Sequence, residues 1–342
     1  MPGSGTETRV RESFAEQAQW CDRLGSPFTA SLCRVLARTL DRETPAGRRA
    51  LDWPGDPAPT ADALALRLCG GINALVRQGA VPALALLYPP APIPDEEQLA
   101  EALGPVLARP DLAGWLDLPP QTNEVGRSAV LMAGLMVAAK AIGRPFALLE
   151  LGASAGLNLV LDRYGYDLGG VRAGVADSPL RLAPEWKGPP PPEAEVVVVG
   201  RRGVDLSPVD DPSRLLAYVW PDQSRRLEQA EKAIALLAED PPTIDRGDAA
   251  EWLEAQLALP APDGAARAVI HSVAYQYFPA ATQARVTAAI EAAGSCEPLA
   301  WVRMEKAPDE AGHSLRVRAW PGGEDRLLAR VHPHGAAVEW VG

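Results

Sequence analysis

Phe146-Ala147-Leu148-Leu149-Glu150-Leu151-Gly152-Ala153-Ser154-Ala155-Gly156-Leu157-Asn158-Leu159 is the stretch that decides the fold. The apolar run ahead of Glu150 suits a strand buried on both faces. Gly152 and Gly156 follow with only Ala153, Ser154 and Ala155 between them, which lets a ligand approach the backbone closely. Leu157 and Leu159 then open an apolar helical pattern, so helix N-terminal amides are expected to point at that ligand. The acid comes before the glycines. That order separates the turn from the dinucleotide-binding fingerprint, where the acid follows about 20 residues later.

Downstream, short β-like runs alternate with helical ones. Residues 195–200, 265–274 and 298–305 read as strands, and 215–238, 249–257 and 279–293 as helices. Such alternation predicts an α/β fold with a mostly parallel sheet. The tail, 313–320 and 327–340, reads as two or three strands joined by Pro321-Gly322-Gly323 and His334-Gly335, an antiparallel C-terminal hairpin. Residues 163–192 are rich in Gly and Pro and predict an inserted loop or small hairpin. Upstream, residues 12–24, 29–40, 61–78 and 98–107 carry helical periodicity broken by proline-rich joints. Two domains are expected: a helical lid or substrate domain over 1–140 and a cofactor-binding domain over 141–342.

The net charge of -11 argues against a nucleic-acid binder, since no Lys/Arg cluster supplies the footprint that phosphates require. The four cysteines, Cys21, Cys33, Cys69 and Cys296, show no paired metal spacing and read as free thiols. The longest apolar run, 129–139, is bracketed by Arg127 and Lys140, far short of the ~20 residues that span a bilayer. No signal core opens the chain, so a soluble cytoplasmic protein without a membrane partner is expected. No Gly-Lys-Ser/Thr phosphate loop or Gly-x-Ser-x-Gly nucleophile elbow occurs.

Three polar groupings carry the candidate chemistry, each with a structural alternative. Glu150 with Gly152 and Gly156 forms either a ligand turn or a tight strand-to-helix turn capped by Ser154. In 269–278 a buried strand switches abruptly to His271, Ser272, Tyr275, Gln276 and Tyr277. His271 is a candidate general base, and Tyr275 or Tyr277 offers a π-face to a cation. The alternative there is a core histidine with packing tyrosines. In 121–127, Asn123, Glu124 and Arg127 suit an amino-acid moiety or a substrate carboxylate, while Thr122 or Asn123 equally suits a helix cap. His332 and His334 flank Pro333 and read as a turn rather than a metal site.

Glu150-Leu151-Gly152-Ala153-Ser154-Ala155-Gly156 resembles the first motif of class I S-adenosylmethionine-dependent methyltransferases, with Ser154 where that motif usually has a glycine. The wider chain is similar to a bacterial family of unknown function assigned to that superfold, through 121–127, 150–164, 201–210, 270–277 and 332–335. The resemblance implies a Rossmann-like sheet and S-adenosylmethionine as cofactor. It implies that Glu150, Gly152, Ala153, Ser154, Gly156 and Asn158 line the cofactor from the first strand, with Ser272, Asn123 and Arg127 beside them. An acid after the second strand would hold the ribose and one after the third the adenine amine, and their best matches are Asp205 and Asp248. The implied activity is methyl transfer to a small molecule. Two alternatives are reaction at the cofactor's aminocarboxypropyl arm and a non-catalytic ligand-binding protein on the same scaffold.

Overall fold

The computed structural model describes residues 4–117, 119–306 and 312–342. The chain forms two compact units, Met1–Thr122 with Ser213–Glu228, and Asn123–Pro212 with Gln229–Gly342.

The first unit is helical: α1 (Ser4–Arg23), α2 (Pro27–Thr39), α3 (Pro45–Leu51), α4 (Leu64–Arg77), α5 (Pro82–Ala85), α6 (Glu96–Leu107) and α7 (Pro110–Ala113). Its core gathers the periodic apolar positions, Phe14, Phe28, Leu32, Leu36, Leu68 and Ile72, all fully buried. Starts are set by local chemistry. Pro27 stands at the first position of α2, where a missing N–H costs nothing. The Asp95 carboxylate caps α6 by accepting the amides of Glu97 and Gln98. The thiols of Cys21, Cys33 and Cys69, distant in sequence, are buried here, with the Cys33 and Cys69 sulfurs 3.8 Å apart.

The second unit is a mixed α/β structure. Its helices are α8 (Arg127–Ile142), α9 (Ser224–Glu239), which begins in the first unit, α10 (Ala249–Ala258) and α11 (Ala280–Cys296). Its strands are β1 (Phe146–Leu151), β2 (Gly165–Leu168), β3 (Val171–Gly174), β4 (Arg181–Leu182), β5 (Glu185–Lys187), β6 (Val198–Asp205), β7 (Thr243–Arg246), β8 (Ala266–Ser272), β9 (Leu299–Lys306), β10 (His313–Trp320), β11 (Asp325–Val331) and β12 (Ala337–Trp340). Nine form one sheet in the order β5-β12-β11-β10-β9-β8-β1-β6-β7. The run β7-β6-β1-β8-β9 is parallel throughout, and β9 to β12 continue as an antiparallel meander.

Every residue of β1 is buried, because helices cover both faces of the sheet. Leu149, Leu151, Val269 and Trp301 pack with Leu253 of α10 and Val286 and Ile290 of α11. On the other face lies α8. A Cβ on its Gly134 would come 2.5 Å from Val302 Cγ1, so glycine lets this helix press onto the strands. That packing places α8 in the sheet unit, and the boundary falls at Thr122 rather than at 140. No helix among the described residues is long and apolar enough to cross a membrane.

Two expected helices are altered. No α-helix follows β1. The chain makes turns and one 3-10 turn, Leu161–Arg163. Ser154 (φ 54°) and Gly156 (φ 87°) break the helical path, and residues 157–161 are all buried, leaving no solvent face for an amphipathic helix. The long helix read over 215–238 is split into a 3-10 segment, Pro212–Tyr218, and α9, since Pro221 cannot sit inside it. The insertion after Arg163 forms the hairpin β2–β3 with β4 beside it, and β5 then joins the edge of the main sheet by pairing with β12.

Candidate functional site

The strand order reverses between β1 and β8: successive strands lie on one side of β1 as β6 and β7, and on the other as β8 and β9. In open α/β sheets a ligand site forms beyond the carboxyl ends of the strands at such a reversal. Glu150, near the end of β1, is 1% exposed. Asn158 is the hydrogen-bond partner of its carboxyl group, and Oε2 has none. Burial pushes this carboxyl well above its ordinary range, against the Asn158 bond and reinforced by the charge of Asp205. Asn158 is itself held, its Oδ1 accepting from the Ser128 hydroxyl of α8 at 2.7 Å.

Five amides of the glycine turn are bonded inward rather than toward a ligand. Those of Gly152 and Ala153 both donate to the Val204 carbonyl of β6, at 2.9 and 3.0 Å. The Ser154 amide donates to Asp205 Oδ2 at 2.9 Å, that of Gly156 to the Ala153 carbonyl, and that of Leu157 to Asn123 Oδ1 at 2.8 Å. Gly152 is needed for a close approach of another kind: a Cβ there would lie 2.5 Å from Ala274 Cβ in the loop after β8. The turn is a compact strut. Its one unsatisfied side-chain atom is the Glu150 oxygen.

Asp205 ends β6, where the resemblance expects an acid, but both its oxygens already accept amides, from Ser154 and from Ser207. Each oxygen keeps a further lone pair. Asp248 is the N-cap of α10, its Oδ1 accepting from Ala250 and Glu251 and its Oδ2 from the Thr282 hydroxyl at 3.3 Å. Its local bonds are those of a capping aspartate.

The stretch after β8 is organised by a residue that the sequence patterns did not single out, Glu305 near the end of β9. Its carboxylate accepts from His271 Nδ1 (2.8 Å) and from the amides of Ala274 (3.0 Å), Tyr275 (3.1 Å) and Gln276 (3.4 Å). Burial raises its pKa, but His271 and the amides of Ala274 and Tyr275 outweigh that, and the group is held below its ordinary range. The Trp301 indole donates to His271 Nε2 at 2.9 Å, so the ring proton sits on Nδ1 facing Glu305. His271 is fully buried with both nitrogens engaged, which is the core histidine of the structural alternative and not a base open to substrate. The Tyr275 ring stacks on it at 5.1 Å, its hydroxyl donating to the Gln283 carbonyl of α11 and paired with Thr287. Tyr277 is 69% exposed.

Glu150 is level with Ile270 in the β1–β8 register, and alternate residues face opposite sides of a sheet. His271 therefore shares the α10–α11 face with Leu149 and Leu151, while Glu150 faces the α8 side. The predicted acid and the predicted base are not brought together.

Asn123, with φ 39°, braces the glycine turn through Leu157 instead of capping α8, whose N-cap is Gly126. Arg127 donates to the Pro333 carbonyl at 2.9 Å and the Ser272 carbonyl at 3.3 Å, tying the tail turn to the end of β8. Within that tail turn the His334 amide donates to His332 Nδ1. Glu305 carried one sequence signal: an acid at the carboxyl end of an otherwise apolar strand, as at Glu150.

These features define a mixed α/β protein with a buried, half-satisfied acid at the point where its strand order reverses. The chain belongs to an uncharacterized protein family conserved in bacteria (DUF2332), whose family model matches residues 11–340. No curated protein and no solved structure matches it.

Proposed function

We propose that this protein is a cytoplasmic, S-adenosylmethionine-dependent transferase that methylates a small molecule, built on a Rossmann-like methyltransferase sheet. The observation that carries the reading is the orphaned Oε2 of buried Glu150 at the strand-order reversal. The parallel core runs third-second-first-fourth-fifth in chain order, the order of nucleotide-binding open sheets. The donor set suits a cation better than a phosphate: the turn presents a carboxylate oxygen, while five of the amides that would cradle an anion are bonded inward. Glu150 would hold the cofactor's ammonium, and the spare lone pairs of Asp205 its ribose hydroxyls. Asn123 and Asn158 keep the turn in place. When bound, the cofactor supplies an activated methyl group, so the protein's part is to align the acceptor and exclude water. Because His271 is locked between Trp301 and Glu305, a nucleophile that needs no deprotonation suits this site.

Calorimetry with S-adenosylmethionine and S-adenosylhomocysteine tests the reading. Binding of both is expected, weakened roughly tenfold or more by Glu150→Gln through loss of a buried ionic contact. Absence of binding by either at about 1 mM sinks it. The engaged states of His271 and Tyr275 favour one second reading, a ligand-sensing protein without turnover. Cofactor bound with no methylated product across a small-molecule panel would select it.

A further inference from the structure

The helical unit holds a second group of unsatisfied polar atoms, independent of the cofactor reading. Tyr218 is 6% exposed, and its hydroxyl, beside the Arg214 guanidinium, makes no well-aligned hydrogen bond. Arg214, one turn earlier on the same 3-10 segment, has a buried Nε that is also unpartnered. Its guanidinium lies over the Trp115 ring, 5.9 Å from the centroid, and Trp115 meets Tyr218 edge-on at 6.0 Å. A second guanidinium, Arg67 of α4, is aimed by bonds to the Asp62 carbonyl (2.7 Å) and the Leu116 carbonyl (3.0 Å) and lies over Trp53 at 5.2 Å. The acid beside it, Asp62, is turned to the Trp53 indole at 2.8 Å. Burial raises the Tyr218 hydroxyl's pKa, while the Arg214 charge, the close approach of the Arg214 guanidinium and the Arg67 charge act to lower it, so both cations are within electrostatic reach of one oxygen.

The sequence has made room for this arrangement. Gly70 and Gly71 stand side by side in the middle of α4, an unfavourable choice for a helix interior. A Cβ on Gly70 would lie 2.5 Å from the Tyr218 ring, and one on Gly71 2.7 Å from Trp115. Two guanidiniums act on one phenol next to an indole, and the acid whose charge supports Arg67, Asp62, spends one oxygen on the Trp53 indole. Guanidinium forks match a carboxylate's two oxygens, and the indole suits a flat apolar body.

We propose that the helical unit binds a small planar carboxylate, gripped by Arg67 and Arg214, with the Tyr218 hydroxyl as the buried donor and Trp115 as the apolar wall. The probe is benzoate, titrated into the full chain by calorimetry and by tryptophan fluorescence, with inorganic phosphate in a parallel arm. Benzoate is expected to bind at millimolar concentration or tighter. Tyr218→Phe keeps the ring and is expected to fold with unchanged or raised thermal stability while losing about tenfold in benzoate affinity. Arg214→Gln is expected to lose at least as much, and Arg23→Gln, an arginine stacked on Trp20, to lose nothing. The proposal is overturned if benzoate does not bind at about 10 mM, if Tyr218→Phe binds it as the parent does, or if phosphate binds equally well.

Discussion

Glu150, buried, and Glu305, partly buried, are glutamates near the carboxyl ends of parallel strands, and their environments are opposite. Glu305 receives His271 and three backbone amides, and His271 with the Ala274 and Tyr275 amides holds its pKa below the ordinary range. Glu150 has Asn158 and one bare oxygen, with its carboxyl raised well above that range. An acid whose two oxygens both accept hydrogen bonds is a strut. One left incomplete costs stability, and that cost marks a place where a ligand completes the set.

The contrast can be broken by mutation. Glu305→Ala should give the largest effect, about 3–5 kcal/mol of lost stability in denaturant unfolding, because it orphans His271 and three amides at once. A loss below 1 kcal/mol would remove its role as a strut. Glu150→Gln should move the other way, stabilising the ligand-free protein near neutral pH by about 1–3 kcal/mol by removing an acid whose ionisation is penalised. If it destabilises instead, Glu150 is structural and the contrast fails.

The two acids also differ in pH sign. With its folded pKa raised, Glu150 contributes stability below the unfolded value of 4.5, and that is lost as pH rises through the folded pKa. With its folded pKa lowered, Glu305 contributes stability above 4.5, lost as pH falls through the folded pKa. Unfolding followed against pH should therefore show the Glu150→Gln advantage growing above pH 4.5 and the Glu305→Ala deficit shrinking below it. Smallest of all, Trp301→Phe should cost about 1–2 kcal/mol by leaving His271 Nε2 unpaired. Nitrogen NMR of the imidazole should report the proton on Nδ1 in the parent.

Much of the fold was legible in residue patterns. Local periodicity located α10, α11, β8, β9 and the antiparallel tail to within a few residues, because their apolar spacing matches the faces they bury. It misread the segment after β1, where Leu157 and Leu159 look helical but left-handed backbone at Ser154 and Gly156 breaks the path. It also put a domain boundary at 140, since a helix apolar on all sides does not announce which partner it buries against.

At the site, the sequence by itself determined which residues are costly to bury: Glu150 in an apolar strand, Glu305 at the end of another, His271 in a third. Only the tertiary structure decided their fates. Strand register sends Glu150 and His271 to opposite faces, and the three-dimensional neighbours, Trp301 and Glu305 for one and Asn158 alone for the other, determine which is satisfied. Hydrogen-bond satisfaction depends on groups 30 and 34 residues away in the chain for His271, and on no local pattern that spacing can reveal.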